Sequence, residues 1–254
     1  MLPSSIDENG QASDRQHLLS IIVDDKVAID AGCLAFSCSD LQRDQIRDVV
    51  LTHTHLDHIA GLPMFIDDLF ASLTEPIRIH ATPEMIGILE RDIFNWAIYP
   101  RFSELANDRC NVVEYRKFER GAAFDIGHLT FQCVGVNHKV SANGYVISDG
   151  GSSIAITGDT AETDEIWKIC NSTSDLKAVL VECAFPDEMA ELAVVSDHLS
   201  PARLENELSK FHRDDVPVFI INIKPMYRER VIEQIATADL PLVSILELGK
   251  VYDF

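Results

Sequence analysis

The chain reads as an α/β protein, and three observations point there. Short apolar runs of strand length alternate with helical stretches, and two of the helices open on a Thr-Pro or Ser-Pro start signal. The 254 residues are 46% hydrophobic and 24% charged, the balance of a folded globular chain. That length suits one large α/β domain, and no internal repeat, low-complexity tract or Gly/Ser linker divides it, so residues 1–254 are read as a single domain.

In chain order, the apolar runs 18–23 and 27–30 read as strands, followed by 48–52 and 77–81. Thr82 before Pro83 and Glu84 sets a proline at the first helical position and an acid in the first turn, which predicts a helix over 82–95. Further strands are expected at 129–134, 144–148, 153–157, 178–182 and 218–221, with helices after Thr163, after Ser200 and after Pro225. The opening MLPSSIDENGQ looks like the end of a strand and its loop without the strand itself, so either the first strand is very short or the chain starts inside a longer reading frame.

The bulk chemistry narrows the partners. A formal charge of -20 weighs against a protein that grips a long polyanion, because nucleic-acid affinity comes largely from Lys and Arg neutralising phosphates. A small ligand fits better. The first twenty residues carry acids and amides and a late Arg15 where a secretory signal would have a basic start and an apolar run. No stretch approaches the roughly 20 apolar residues of a bilayer span, so a cytoplasmic protein is expected. The cysteines Cys33, Cys38, Cys110, Cys133, Cys170 and Cys183 form no CxxC or short pair and read as buried or idle thiols.

The strongest chemical signal is Thr52-His53-Thr54-His55-Leu56-Asp57-His58, directly after an apolar strand. Three imidazoles and a carboxylate fall within six residues. On a turn after a strand, His53 and His55 can face one way to hold a metal while Asp57 and His58 turn toward a second. A solvated His-rich loop or an adventitious metal binder is the plainer alternative.

This run resembles the HxHxDH signature of the metallo-β-lactamase superfamily, which implies an αββα sandwich with metals at one sheet edge. The resemblance implies a further ligand in His138, between two expected strands, and a metal-bridging carboxylate in Asp159 of Gly158-Asp159-Thr160. Taken alone, His138 would be an ordinary loop histidine and Asp159 a turn or cap acid. Glu182-Cys183-Ala184-Phe185-Pro186, His198-Leu199-Ser200-Pro201 and Ile223-Lys224-Pro225 extend the likeness, in order, to the class II cyclic-nucleotide phosphodiesterases. Related phosphodiesterases, the tRNase Z group among them, pair a strand-end Glu with a helix-start His. By that likeness Glu182 raises the basicity of His198, which protonates the leaving oxygen. The alternatives are a buried structural acid and a helix-start residue without a chemical task.

The resemblance breaks at Asn222, where the family has His completing the second metal site. Asn can coordinate through its amide oxygen as a harder, weaker ligand, so that site holds metal loosely or prefers manganese or iron to zinc. Lys224 either meets a substrate phosphate or caps local backbone. The implied enzyme is a phosphodiesterase acting on a 3',5'-cyclic nucleotide or similar small diester. Two divalent metal ions, zinc first with manganese or iron as alternatives, hold a bridging hydroxide as nucleophile. His53, His55 and His138 serve one metal; Asp57, His58 and Asn222 serve the other. Relatives suggest a homodimer by analogy alone. The rivals are a tRNA-processing nuclease, a thioester or lactone hydrolase, and a catalytically retired ligand-binding member. His17, His80, His128 and His212 match nothing in the pattern. Phe94, Trp96, Tyr99 and Phe102 read as core or dimer contact before a base-stacking pocket.

Overall fold

The structure is a computed structural model and describes residues 18–238, 240 and 242–254. The opening MLPSSIDENGQ and His17 lie outside the described residues. The chain divides into two compact units, Met1–Glu119 and Arg120–Phe254.

The first unit is built on a five-stranded sheet of β1 (Ile21–Val23), β2 (Val27–Ile29), β3 (Asp48–Val50), β4 (Ile77–Ala81) and β5 (Val113–Lys117), in that order. β1 pairs antiparallel with β2, and β2 to β5 run parallel. Parallel strands need crossovers, and the helices Leu34–Ser37 and Asp40–Gln45, then Leu62–Leu69, then Pro83–Ile88 lie in the three of them. The start signal at Thr82 holds: its hydroxyl accepts the Met85 N–H at 3.4 Å. The helix continues as a π-turn over Leu89–Ile93 and stops before the expected Asn95, because Phe94 leaves helical geometry and is fully buried. Val49, Leu51 and Ile79 pack there with Phe65, Ile66, Phe94 and Phe102, and each side chain so buried contributes roughly 1.5–3 kcal/mol. Phe94, Phe102 and the partly buried Tyr99 are core, as read from the sequence, whereas Trp96 is 56% exposed.

The second unit is a seven-stranded sheet of β6 (Ala123–Ile126), β7 (Leu129–Val136), β8 (Ala142–Ser148), β9 (Ser153–Ile156), β10 (Leu176–Glu182), β11 (Val218–Ile221) and β12 (Val243–Ile245). Its spatial order runs from β12 down to β6. β6 to β9 form an antiparallel meander, and β9 to β12 are parallel. The helices Glu165–Ser172, Pro201–Leu208 and Arg228–Thr237 cover one face through Trp167, Leu204 and Val231 against Val179, Val181 and Ile220. Ser200 does not cap its own helix. Its hydroxyl donates to Asp187, whose carboxylate accepts the Ala202 N–H at 2.9 Å in its place. The six cysteines are free thiols, four of them buried.

This topology has a consequence for chemistry. β7, β9, β10 and β11 all point the same way, so their carboxyl ends share one edge of the sheet, where ligand sites of α/β proteins collect. β2 and β3 do the same in the first unit.

Candidate metal centre

In the first unit the His cluster leaves the carboxyl end of β3, and its organiser is a residue the sequence reading passed over. Asp30 stands just beyond the end of β2, fully buried and in the left-handed region at φ 57. Its Oδ1 accepts the Thr52 N–H at 2.8 Å, while Oδ2 accepts the Thr52 hydroxyl at 2.7 Å and Nδ1–H of His58 at 2.6 Å. With its one proton given to Asp30, the Thr52 hydroxyl serves as acceptor for Nδ1–H of His53 at 3.0 Å. Both imidazoles are thereby fixed in the tautomer that carries its lone pair on Nε2, the arrangement of metal-ligating histidines tied to a carboxylate.

His55 and Asp57 complete this group at the start of the turn Leu56–Ile59. The His55 ring stands edge-on to His53 at 4.8 Å, and Asp57 Oδ2 lies 3.9 Å from Nε2 of His58. Close backbone packing holds the turn down. The Ala31 N–H donates to the His58 carbonyl at 2.7 Å, and a Cβ on Gly32 would sit 2.0 Å from the Asp57 carbonyl, so the position accepts glycine alone.

The second unit gathers the remaining predicted residues at the shared edge. Asp159 follows β9, Glu182 ends β10, Asn222 follows β11 and His138 follows β7. Asp159 is 1% exposed and accepts the Asn222 amide N–H at 2.6 Å, which leaves the amide oxygen as the atom Asn222 would offer a cation. Asn222 adopts φ 52, a conformation Asn tolerates better than most residues. Ligand atoms of His138, Asp159 and His198 lie within 4.8 Å of one another.

Glu182 repeats in this unit what Asp30 does in the first. Fully buried, it accepts the Thr160 N–H at 3.0 Å, the Leu199 N–H at 3.4 Å and Nδ1–H of His198 at 2.8 Å. Burial presses the His198 imidazole toward neutrality, but the hydrogen bond and charge of Glu182, with the charge of Asp159, outweigh it and hold His198 above its ordinary range. The Lys224 ammonium is near enough to work against that rise. Arg203, ion-paired with Glu162, donates to the His198 carbonyl at 2.7 Å and fixes the backbone from behind.

The donor set fits divalent cations. Imidazoles locked with Nε2 as acceptor and buried carboxylates at strand ends are what zinc, manganese or iron coordinate. Of the predicted residues, four gather in the first unit and six in the second. Asp30, Thr52 and Arg203 were missed. For Asp30 a signal existed: an apolar run ending in an acid, Val27-Ala28-Ile29-Asp30, immediately before Ala31-Gly32.

Comparison with known proteins agrees with this chemistry. The profile of the family described as "Beta-lactamase superfamily domain" matches residues 29–214. A probable 3',5'-cyclic-nucleotide phosphodiesterase of Yersinia pestis is 24% identical over 210 residues, 74% of this chain and 60% of the relative. A ribonuclease Z of Prochlorococcus marinus is 29% identical over 114 residues, 44% of this chain and 35% of the relative. The crystal structure of unliganded yeast PDE1 superposes with a TM-score of 0.68 at 21% identity, over 84% of this chain and 72% of that one. The chain spans about half to three-fifths of the length of the cyclic-nucleotide phosphodiesterases it matches.

Proposed function

The chain belongs to the beta-lactamase superfamily and has the metallo-β-lactamase fold, and from that premise we propose that it hydrolyses a small phosphodiester, a 3',5'-cyclic nucleotide or a close analogue. The observation that carries the proposal is the buried Glu182–His198 pair beside Asp159, an acid built for a poor leaving group at a cation-ready edge. In this reading His53, His55, Asp57 and His58 of the first unit and His138, Asp159 and Asn222 of the second are the residues that would hold two divalent ions. Zinc suits the imidazole-rich set, and the harder Asn222 favours manganese or iron in the second. When bound, such ions bring the pKa of water toward neutrality and offset the charge that develops on phosphoryl oxygens.

The chain's own residues do the rest. Asp30 and Thr52 keep His53 and His58 in the ligating tautomer. Glu182 accepts Nδ1–H of His198, and its charge raises the basicity of the ring so that Nε2 carries a second proton, which His198 donates to the departing ribose oxygen. Lys224, whose charge reaches this ring, attracts the phosphate. Among the described residues no helix is long and apolar enough to cross a membrane.

The ribonuclease Z likeness favours a second reading, a nuclease with the same ligands. With 21 basic against 41 acidic residues, the chain has little with which to grip a polynucleotide. One preparation decides between them: metal content by elemental analysis, with cyclic AMP, cyclic GMP, bis-p-nitrophenyl phosphate and a precursor tRNA as substrates. Cyclic-nucleotide turnover that falls below about a tenth in Asp57→Ala and in Asp159→Ala, both still folded, is the expected result. Cleavage of the tRNA alone would overturn the proposal.

A further inference from the structure

Asp197 is the residue on which two histidines of the second unit meet. The helix Ala190–Ser196 ends on it in the left-handed conformation, φ 53 and ψ 56, a position where helices ordinarily carry glycine. That turn does two things at once. It sends the next residue, His198, back over the helix with its N–H on the Ala193 carbonyl at 2.9 Å, and it swings the Asp197 carbonyl toward the loop after β7. There the carbonyl lies 2.9 Å from Nδ1 of His138, and the carboxylate lies 3.3 Å from Nζ of Lys139.

A carbonyl oxygen can only accept. The contact therefore requires a proton on Nδ1 of His138, and in the neutral ring that puts the lone pair on Nε2. Orientation follows as well, since the ring must keep Nδ1 aimed at a backbone atom that cannot rotate independently. The His138 and His198 rings stand 5.0 Å apart, the first held on the Asp197 carbonyl and the second on Glu182.

We propose that Asp197 is the positioning residue for His138: its left-handed backbone sets the tautomer and aim of that imidazole for a divalent cation, and its carboxylate only fastens the neighbouring lysine. The cation rests on the function proposed above; the tautomer does not. The ion pair is half-exposed, with Lys139 at 51% and Asp197 at 24% side-chain exposure, so its share is small. The backbone conformation carries the effect.

Three variants separate these parts. Asp197→Gly keeps the left-handed turn and loses the ion pair, Lys139→Ala loses the pair alone, and Asp197→Val disfavours the turn. The readouts are the His138 tautomer, from long-range nitrogen–proton NMR correlation in metal-free protein, and zinc affinity, from competition with a chelator. The expected result is a single Nδ1–H tautomer in wild type, Asp197→Gly and Lys139→Ala, with zinc affinities within about threefold of one another. Asp197→Val should give mixed tautomers and zinc binding weaker by about 10–100-fold, the usual cost of losing a partner behind a ligating histidine. An Nε2–H tautomer in metal-free wild type overturns the proposal without any variant, as does a folded Asp197→Val with the wild-type tautomer. If the wild-type chain binds no zinc, the metal reading fails, and the tautomer measurement still decides the role of Asp197.

Discussion

Replacing Asp30 with Asn tests whether the first half of the site is organised by one buried carboxylate. Asn tolerates the φ of 57 at this position, so the substitution leaves the backbone alone and changes only the acceptor. The wild-type carboxylate takes three donors at 2.6–2.8 Å. An amide oxygen can accept two of them, and its NH2 then confronts the third. The third hydrogen bond to a charged acceptor is lost, which puts the expected destabilisation at about 1.5–3 kcal/mol. Against a typical total of about 5–15 kcal/mol the protein should still fold. The tautomers of His58 and, through Thr52, of His53 lose their anchor, and zinc affinity should fall by about 10–100-fold. Guanidinium unfolding of the metal-free protein measures the first quantity and chelator competition the second. An unfolding free energy within about 0.5 kcal/mol of wild type, together with unchanged zinc affinity, would refute the reasoning, because it would mean that Asp30 does not hold the histidines.

His198→Ala should cost far more turnover on a cyclic nucleotide than on a nitrophenyl diester, whose leaving oxygen needs little protonation; equal losses at unchanged metal content would remove the acid role. Asp48 gives a pH prediction: despite its burial, hydrogen bonds from Arg78 and His80 bring its carboxyl from 3.8 down to about 2. Stability from this group is present above pH 4 and lost as the pH falls toward 2, by about 1–2 kcal/mol after screening at the sheet's rim. Asp48→Asn should therefore flatten the acid limb of the stability curve between pH 4 and 2, and identical limbs for the two proteins would exclude it. Asn222→His is compatible with the local φ of 52 and should tighten the weaker zinc site by roughly an order of magnitude; calorimetry showing no change in either site would take Asn222 away from the metal.

What the sequence made legible was whatever it wrote contiguously. His53, His55, Asp57 and His58 form one run, and the runs 77–81 and 218–221 coincide with β4 and β11: β11 is apolar throughout, and in β4 Ile77, Ile79 and Ala81 alternate with Arg78 and His80. β5 and β6 escaped notice for the opposite reason. Val113–Lys117 and Ala123–Ile126 are edge strands with exposed polar residues, which leave no continuous apolar run. Asp30 escaped because an acid after a strand is commonplace until the neighbouring strand is known, and its pairing to Thr52 spans 22 residues. His80 likewise seemed idle; it meets Asp48 across the β3–β4 ladder at 2.8 Å. The helix-start signal at Ser200 is followed by the helix Pro201–Leu208, and the Ala202 N–H is accepted by Asp187.

Asp30 and Glu182 are the same device with different outcomes, and the difference lies in what surrounds the histidine each one holds. Both are fully buried carboxylates at the carboxyl end of a parallel strand, and both accept backbone N–H groups along with one imidazole Nδ1–H. Behind His58, Asp30 shares its charge with the Thr52 hydroxyl and a backbone amide, and the far nitrogen of the ring lies 3.9 Å from Asp57. That arrangement fixes Nδ1–H on Asp30 and aims Nε2 toward Asp57. Behind His198, Glu182 acts through both a hydrogen bond and its charge, and these count for more in the rise of the imidazole pKa than Asp159 does. The order matters for catalysis. A cation at Asp159 would take up that smaller support and set its own positive charge beside the ring, so the hydrogen bond and charge of Glu182 are what would hold the proton His198 is proposed to donate.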